Sequence, residues 1–286
     1  MTVAVAWVGK RNDGREHLYI AADSRVTGGH TMDACPKILT LPRSDCALCF
    51  AGSTAAAYPL MLQVANAIAA HQPSRNRTMD LSRLKAHVLL VCSDLIDRFR
   101  GAPEPFENRE VQFLLAGYSW LTADFRIWTI EYNAGVKRFI DHEARSFHSR
   151  LRKAAFVGDR ATALRTLVMR KLQGSPGKSW YLEPLQVLAE MLSGAGPGDT
   201  IGGPPQVVRI AKHMNTRSFC IRWQGQDTLY GRPLFPYESV DYWVIDPVRG
   251  VISMPRGPGV RPPPPGDDGA AAVAAIPPPP LTHDVE

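Results

Sequence analysis

The chain has 286 residues, 45% of them apolar and 21% charged, with a formal net charge of +6. That ordinary globular balance excludes a coiled coil or a disordered chain for the bulk, and no apolar run approaches the roughly 18–20 residues of a membrane span. Five cysteines, an odd and low count, point to reduced thiols and a cytoplasmic setting.

Proline marks the clearest boundary. Ten of the 24 prolines fall in 255–286, with runs at Pro262 to Pro265 and Pro277 to Pro280 around an alanine-rich stretch. Such a segment favours extended polyproline conformations and cannot bury a core. The expected organisation is therefore one domain over 1–255 and a Pro/Ala-rich disordered tail over 256–286. A plain appendage and a ligand for a proline-binding groove are both open for the tail. Its two arginines against four carboxylates leave +8 on residues 1–255. A basic body can attract acidic partners or simply be a soluble surface.

Residues 2–8 alternate small and β-branched types and read as a strand rather than a secretion signal, since no basic stretch precedes them. A turn at 9–15 leads to a second strand, His17 to Asp23, so the chain opens as a hairpin. Lys37 to Leu41 and Cys46 to Gly52 are further strands. Ser53-Thr54 caps a helix running to about His71, and Asp80 opens another with apolar residues at Leu84, Val88, Val91 and Leu95. Strands at 111–118, 125–132, 136–142 and 154–157 follow. Two helices, one through Leu164, Leu167 and Leu172 and one over 183–192, precede strands at 207–211, 218–223 and 239–245. This order predicts an α+β fold of two sheets flanked by helix pairs rather than a doubly wound parallel sheet.

The chemistry concentrates at the amino end. Thr2 is small enough to allow removal of Met1, which would leave a hydroxyl and a primary amine on one residue. An α-amine with a pKa near ~8 can accept the hydroxyl proton at neutral pH. Asp23 closes an apolar strand, a costly place for a carboxylate without a partner. Lys37 opens the next strand. If the first two strands pair antiparallel, Asp23 approaches Thr2 and Lys37 can bridge them, lowering the pKa of amine and hydroxyl. Gly52, between a strand and a helix N-terminus, offers a backbone N–H to an oxyanion. The plain alternative is an ion pair bracing a hairpin.

Thr2-Val3-Ala4-Val5, Ala21-Ala22-Asp23-Ser24-Arg25-Val26-Thr27, Lys37-Ile38 and Phe50-Ala51-Gly52-Ser53-Thr54-Ala55 together resemble a proteasome β-type peptidase. They are also similar to the HslV-type ring peptidases, within the N-terminal nucleophile (Ntn) hydrolases. The resemblance is strong over roughly residues 2–70; beyond that only the element order agrees. It implies a four-layer αββα sandwich, threonine-type peptidase activity and self-association into a ring or other oligomer, with an ATPase unfoldase as an open further partner. It implies Thr2 as nucleophile and base, Asp23 and Lys37 as tuning and positioning groups, Arg25 as support and Gly52 as oxyanion donor.

Departures accompany it. Asp159 follows Gly158 where the family has Ser. Asp199 matches a family Asp, but Gly202 stands where Ser is expected, and Thr200 is the candidate substitute. The resemblance also places Val26, Cys35, Phe50 and Thr54 around a pocket for apolar or small side chains. No propeptide precedes Thr2, so activation would need only the loss of Met1.

Other patterns point elsewhere. Cys46 and Cys49 lack a second pair or nearby histidines for zinc, and on a strand they face opposite sides. His30, His71, His87 and His142 show no ligand spacing. The basic stretch from Arg150 to Lys171 lacks the interleaved aromatics of a nucleic-acid surface. No cofactor, metal, nucleic-acid or membrane partner is therefore expected. Two alternatives to a peptidase remain: an amidase acting on a small molecule, and a catalytically silent scaffold subunit.

Overall fold

Alternation in the first strand sets up the architecture. β1 (Val3–Lys10) sends Val3, Val5 and Trp7 into one core cluster and Ala4, Ala6 and Val8 into another. Successive side chains of a strand face opposite sides, so a strand apolar at every position is buried on both. The computed structural model describes residues 2–11, 13–99, 111–149, 151–174, 180–238 and 240–254. The predicted tail over 256–286, Met1, Arg150 and Ser239 lie outside the described residues.

In chain order, β2 (Glu16–Ala22), β3 (Ile38–Thr40) and β4 (Cys46–Gly52) lead to α1 (Thr54–Ala70), the single turn α2 (Gln72–Arg75) and α3 (Leu81–Ile96). β5 (Val111–Ser119), β6 (Asp124–Asn133), β7 (Arg138–Glu143) and β8 (Ala154–Gly158) precede α4 (Ala161–Gly174) and α5 (Glu183–Ser193). β9 (Gln206–Ala211), β10 (Thr216–Ser218), β11 (Cys220–Trp223), β12 (Gln226–Leu229), β13 (Arg232–Pro233), β14 (Val244–Asp246) and β15 (Val251–Ser253) complete the order.

The fold is α+β. One antiparallel sheet runs β10-β9-β2-β1-β8, a second β3-β4-β5-β6-β7, and a smaller third β13-β12-β11-β14-β15. Three clusters hold them. Val3, Trp7 and Tyr19 pack with α4 and α5 through Leu164, Val168, Leu185 and Leu188. Leu48, Phe50 and Phe113 pack with α1 and α3 through Leu60, Val64, Leu84 and Val88. The third cluster is rich in small side chains: Ala4, Ala6 and Ala22 of the first sheet meet Ala47, Ala51 and Ala116 of the second. Cys46 and Cys49 fall in different clusters, on opposite faces of β4.

The third sheet corrects the expectation of two. The strand predicted over 218–223 breaks at Phe219, whose side chain enters the cluster under α4 and α5. Its N–H still bonds Val207, whereas the next N–H, of Cys220, bonds Trp243. The ladder therefore changes partner there, and β11 pairs parallel with β14. The strand predicted over 239–245 is confined to Val244–Asp246. The cap at Ser53 also differs: Ser53 holds the N-cap position of α1 with no side-chain cap bond. Asp80 does cap α3, accepting the Ser82 N–H at 3.0 Å. Among the described residues no helix is long and apolar enough to cross a membrane.

Candidate active site

Sheet register delivers three side chains to one point. β1 pairs with β2 so that Ala4 lies opposite Ala22, which sets Asp23 beside Val3. β1 also pairs with β8, with Val3 opposite Gly158. Lys37 enters just before β3, where its carbonyl accepts the Phe50 N–H at 3.2 Å. The result is a chain of contacts. Lys37 Nζ donates to Thr2 Oγ1 at 2.7 Å and to Asp23 Oδ1 at 2.8 Å. Thr2, Asp23 and Lys37 are all 0% exposed.

The carboxylate is held by backbone donors as well. Asp23 Oδ1 accepts the Val3 N–H at 3.0 Å, and Oδ2 accepts those of Arg25 and Gly202 at 3.1 and 3.2 Å. Burial raises the Asp23 pKa above the usual carboxylate value, against the opposing pull of Lys37 and of the Val3 and Gly202 N–H groups. A buried ion pair of this kind contributes little net stability by itself, but removing one partner strands the other charge.

Gly158 and Asp159 fix the backbone of Thr2. The Asp159 N–H bonds the Thr2 carbonyl at 3.0 Å. Gly158 has φ +96°, and a Cβ there would lie 1.9 Å from the Thr2 oxygen. Only glycine permits so close an approach of two chains. The Asp159 side chain is itself exposed, so the residue serves the site through its N–H. Gly52 ends β4 with φ +99°, two residues past the Phe50 N–H that meets Lys37, and so stands at the same end of its sheet.

Arg25 lies one step out. Its guanidinium forms a fork with Asp33 at 2.6 and 2.9 Å and reaches the carbonyls of Gly196 and Asp199 at 2.6 and 3.2 Å. The hydrogen bonds to Arg25 hold the Asp33 carboxyl below its usual range. The Asp199 carboxylate turns to the Gly196 N–H at 2.7 Å and to Arg160 at 3.4 Å, so its carbonyl rather than its side chain supports Arg25. Thr200 follows it, half-buried.

Of the residues expected around a pocket, Cys35 is buried with its thiol against the Tyr58 hydroxyl. Phe50 is wholly buried in the cluster under α1 and α3, its ring tilted against Tyr58 at 5.1 Å between centroids. Val26 and Thr54 are half-buried. None of the four lines the cleft of about 770 Å³ that opens beside Gly158 and Asp159, whose walls include Gln112, Phe156 and Arg165.

Three residues escaped the sequence reading. Gln206, 1% exposed, accepts the N–H groups of Lys37 and Ile38 at 2.8 and 3.2 Å. Its amide also donates to the carbonyls of Asp23 and Cys35 at 3.2 and 2.9 Å. It ties the Asp23 strand end to the Lys37 strand start. The available signal was a polar residue opening the apolar run of β9, the same kind that singled out Asp23. Asp33 and Tyr58 carried no such signal. No family model matches the chain, and neither does any curated protein.

Proposed function

We propose that the chain is a threonine-type peptidase of the Ntn-hydrolase class, its two large sheets and two helix pairs forming the four-layer αββα sandwich of that class. The observation that carries the reading is the contact of Lys37 Nζ with both Thr2 Oγ1 and Asp23 Oδ1 inside a fully buried site. With Met1 removed, the Thr2 nitrogen becomes a primary amine on the same residue as the hydroxyl. The amine takes the Oγ1 proton, and Oγ1 attacks the substrate carbonyl carbon. The Lys37 ammonium, fixed by Asp23, favours the developing alkoxide, and the Gly52 N–H receives the oxyanion. The scissile C–N bond breaks as the α-ammonium returns its proton to the leaving amine. Water, deprotonated by the same amine, then hydrolyses the Thr2 ester.

The side chains of Val26, Cys35, Phe50 and Thr54 are themselves uncharged, and on this reading the acyl side prefers small or apolar side chains. Phe235, Tyr237 and Met254, all strongly exposed, support self-association. One observation favours a silent scaffold instead: the Asp199 carboxylate faces Gly196 and Arg160. Intact-mass measurement with a peptide epoxyketone, which requires both amine and hydroxyl, separates the two. A mature chain starting at Thr2 that gains one adduct, with Thr2→Ala gaining none, supports the peptidase. Complete retention of Met1, or no adduct on a mature chain, supports the scaffold. Failure of the adduct-forming chain to cleave casein-like proteins would favour an amidase.

A further inference from the structure

At the end of β1 away from Thr2, roughly 23 Å along the strand at ~3.3 Å per residue, a second cleft of about 1070 Å³ opens. Arg11, Arg15, Arg209 and Arg217 line it together with His17. Antiparallel register sets Arg209 directly opposite Arg217 on β9 and β10. Like charges in that position oppose sheet pairing, so the arrangement calls for negative charge between them.

The acids on the cleft wall are already engaged. Asp13 lies 3.7 Å from Arg11 and 3.2 Å from Arg15. Glu183 accepts the Tyr181 N–H. Beneath the arginines, His17 Nδ1 and Arg209 Nε are buried with no hydrogen-bond partner, while the Tyr19 hydroxyl lies within reach of Tyr181 and Arg209. These groups cluster, with Tyr19 opposite Arg209 in the ladder and the Tyr19 and Tyr181 rings edge-on at 5.3 Å. Folded chains rarely leave buried ring and guanidinium nitrogens such as these two unmet. Phe219 lies under the Arg209 guanidinium at 5.3 Å and braces it.

We propose that this cleft binds a small organic phosphate, with its phosphoryl group between Arg209 and Arg217 and its apolar part against Trp243 and Ile252. Two guanidinium forks facing one point match the three acceptor oxygens of a phosphoryl group better than the two oxygens of a carboxylate. Trp243 and Ile252 form an apolar wall of the same cleft. The inference is independent of the peptidase reading.

The test is calorimetric titration of the full chain, at fixed ionic strength, with phenyl phosphate, inorganic phosphate and phenol. Saturable binding of phenyl phosphate, weaker binding of inorganic phosphate and none of phenol are expected. Arg209→Gln and Arg217→Gln should each weaken phenyl phosphate binding by ~10-fold or more, as loss of a charged hydrogen bond does. Arg217→Lys, at an exposed position that tolerates substitution, should keep the fold and still bind more weakly because it lacks the fork. Arg98→Gln in the turn after α3, an exposed residue paired with exposed Asp94, should bind as the unaltered chain does. Equal affinity in folded Arg217→Lys and the unaltered chain, or no saturable phosphate binding, overturns the site. Inorganic phosphate binding as tightly as phenyl phosphate overturns the assignment of an organic ligand.

Discussion

The guanidinium of Arg25 occupies the space into which any side chain at residue 202 would project: a Cβ on Gly202 would stand 2.4 Å from its Cζ. The glycine that departs from the family pattern is thereby tied to an arginine that conforms to it. Gly202→Ser should displace Arg25 from Asp33 and loosen the Gly202 N–H on Asp23, lowering both melting temperature and acylation rate. Combining it with Arg25→Ala should cost less than the sum of the two changes, because Arg25→Ala removes the clash that Gly202→Ser creates. An additive double-mutant cycle in thermal melts would count against the steric link.

Lys37→Met leaves Asp23 buried without its cation, at a cost of ~3–5 kcal/mol. Burial already raises the Asp23 pKa above its ordinary 3.8, and loss of Lys37 raises it further. A raised folded-state pKa favours the fold fully below 3.8, and that contribution is lost as pH rises through the folded value. The stability deficit of the variant should thus be smallest below about pH 3.8 and widen toward neutrality. Urea unfolding of both chains across that range measures it.

Gln206→Glu should weaken the site from behind. Its second carboxylate oxygen would face the carbonyls of Asp23 and Cys35, where the amide now donates. Replacing two donated bonds by repulsion at a buried position should destabilise by at least ~1–3 kcal/mol. Because Gln206 positions rather than reacts, kcat should fall with little change in KM. An unaltered kcat in a folded variant would remove it from the positioning set.

The hairpin end, the Asp23 strand end and the Lys37 strand start were legible because each is a charged or turn-forming residue closing an apolar run. Thr2 with Asp23 and Lys37 could be placed together by register reasoning alone. Gln206 could not, since its role depends on β9 lying beside β2, a pairing between residues more than 180 positions apart that no local pattern encodes. The third sheet was missed for a related reason. Its strands are two to four residues long, too short for alternation to show. The direction of the Asp199 carboxylate, which the Gly196 N–H decides, carried no signal in the sequence.

Gly158→Ala tests the hold on Thr2. A left-handed φ and a 1.9 Å approach to the Thr2 oxygen make any side chain there strained, at ~1–3 kcal/mol for the backbone alone. Epoxyketone labelling should slow more than the loss of stability explains, because Thr2 itself must shift. Labelling at the original rate in the folded variant would show that Thr2 keeps its place without this contact.

His17 provides a pH signature far from Thr2. Burial first, then Arg209 and Arg11, lower its pKa to about 4, with Asp13 opposing and His213 adding to the effect. The fold therefore binds fewer protons than the unfolded chain between pH 4 and 6.5. The His17 contribution is present above 6.5 and lost as pH falls through 4. His17→Gln should flatten the decline of stability over that window, which melts at successive pH values would reveal.

β1 is an interior strand, bonded to β2 on one side and β8 on the other. A reactive group carried at the head of such a strand has no hinge of its own. It cannot swing out to meet a chain in solution, as a loop residue can. On the peptidase reading proposed above, a substrate would have to be threaded to Thr2 in extended form, which would restrict targets to unfolded or short segments before any side-chain preference acts.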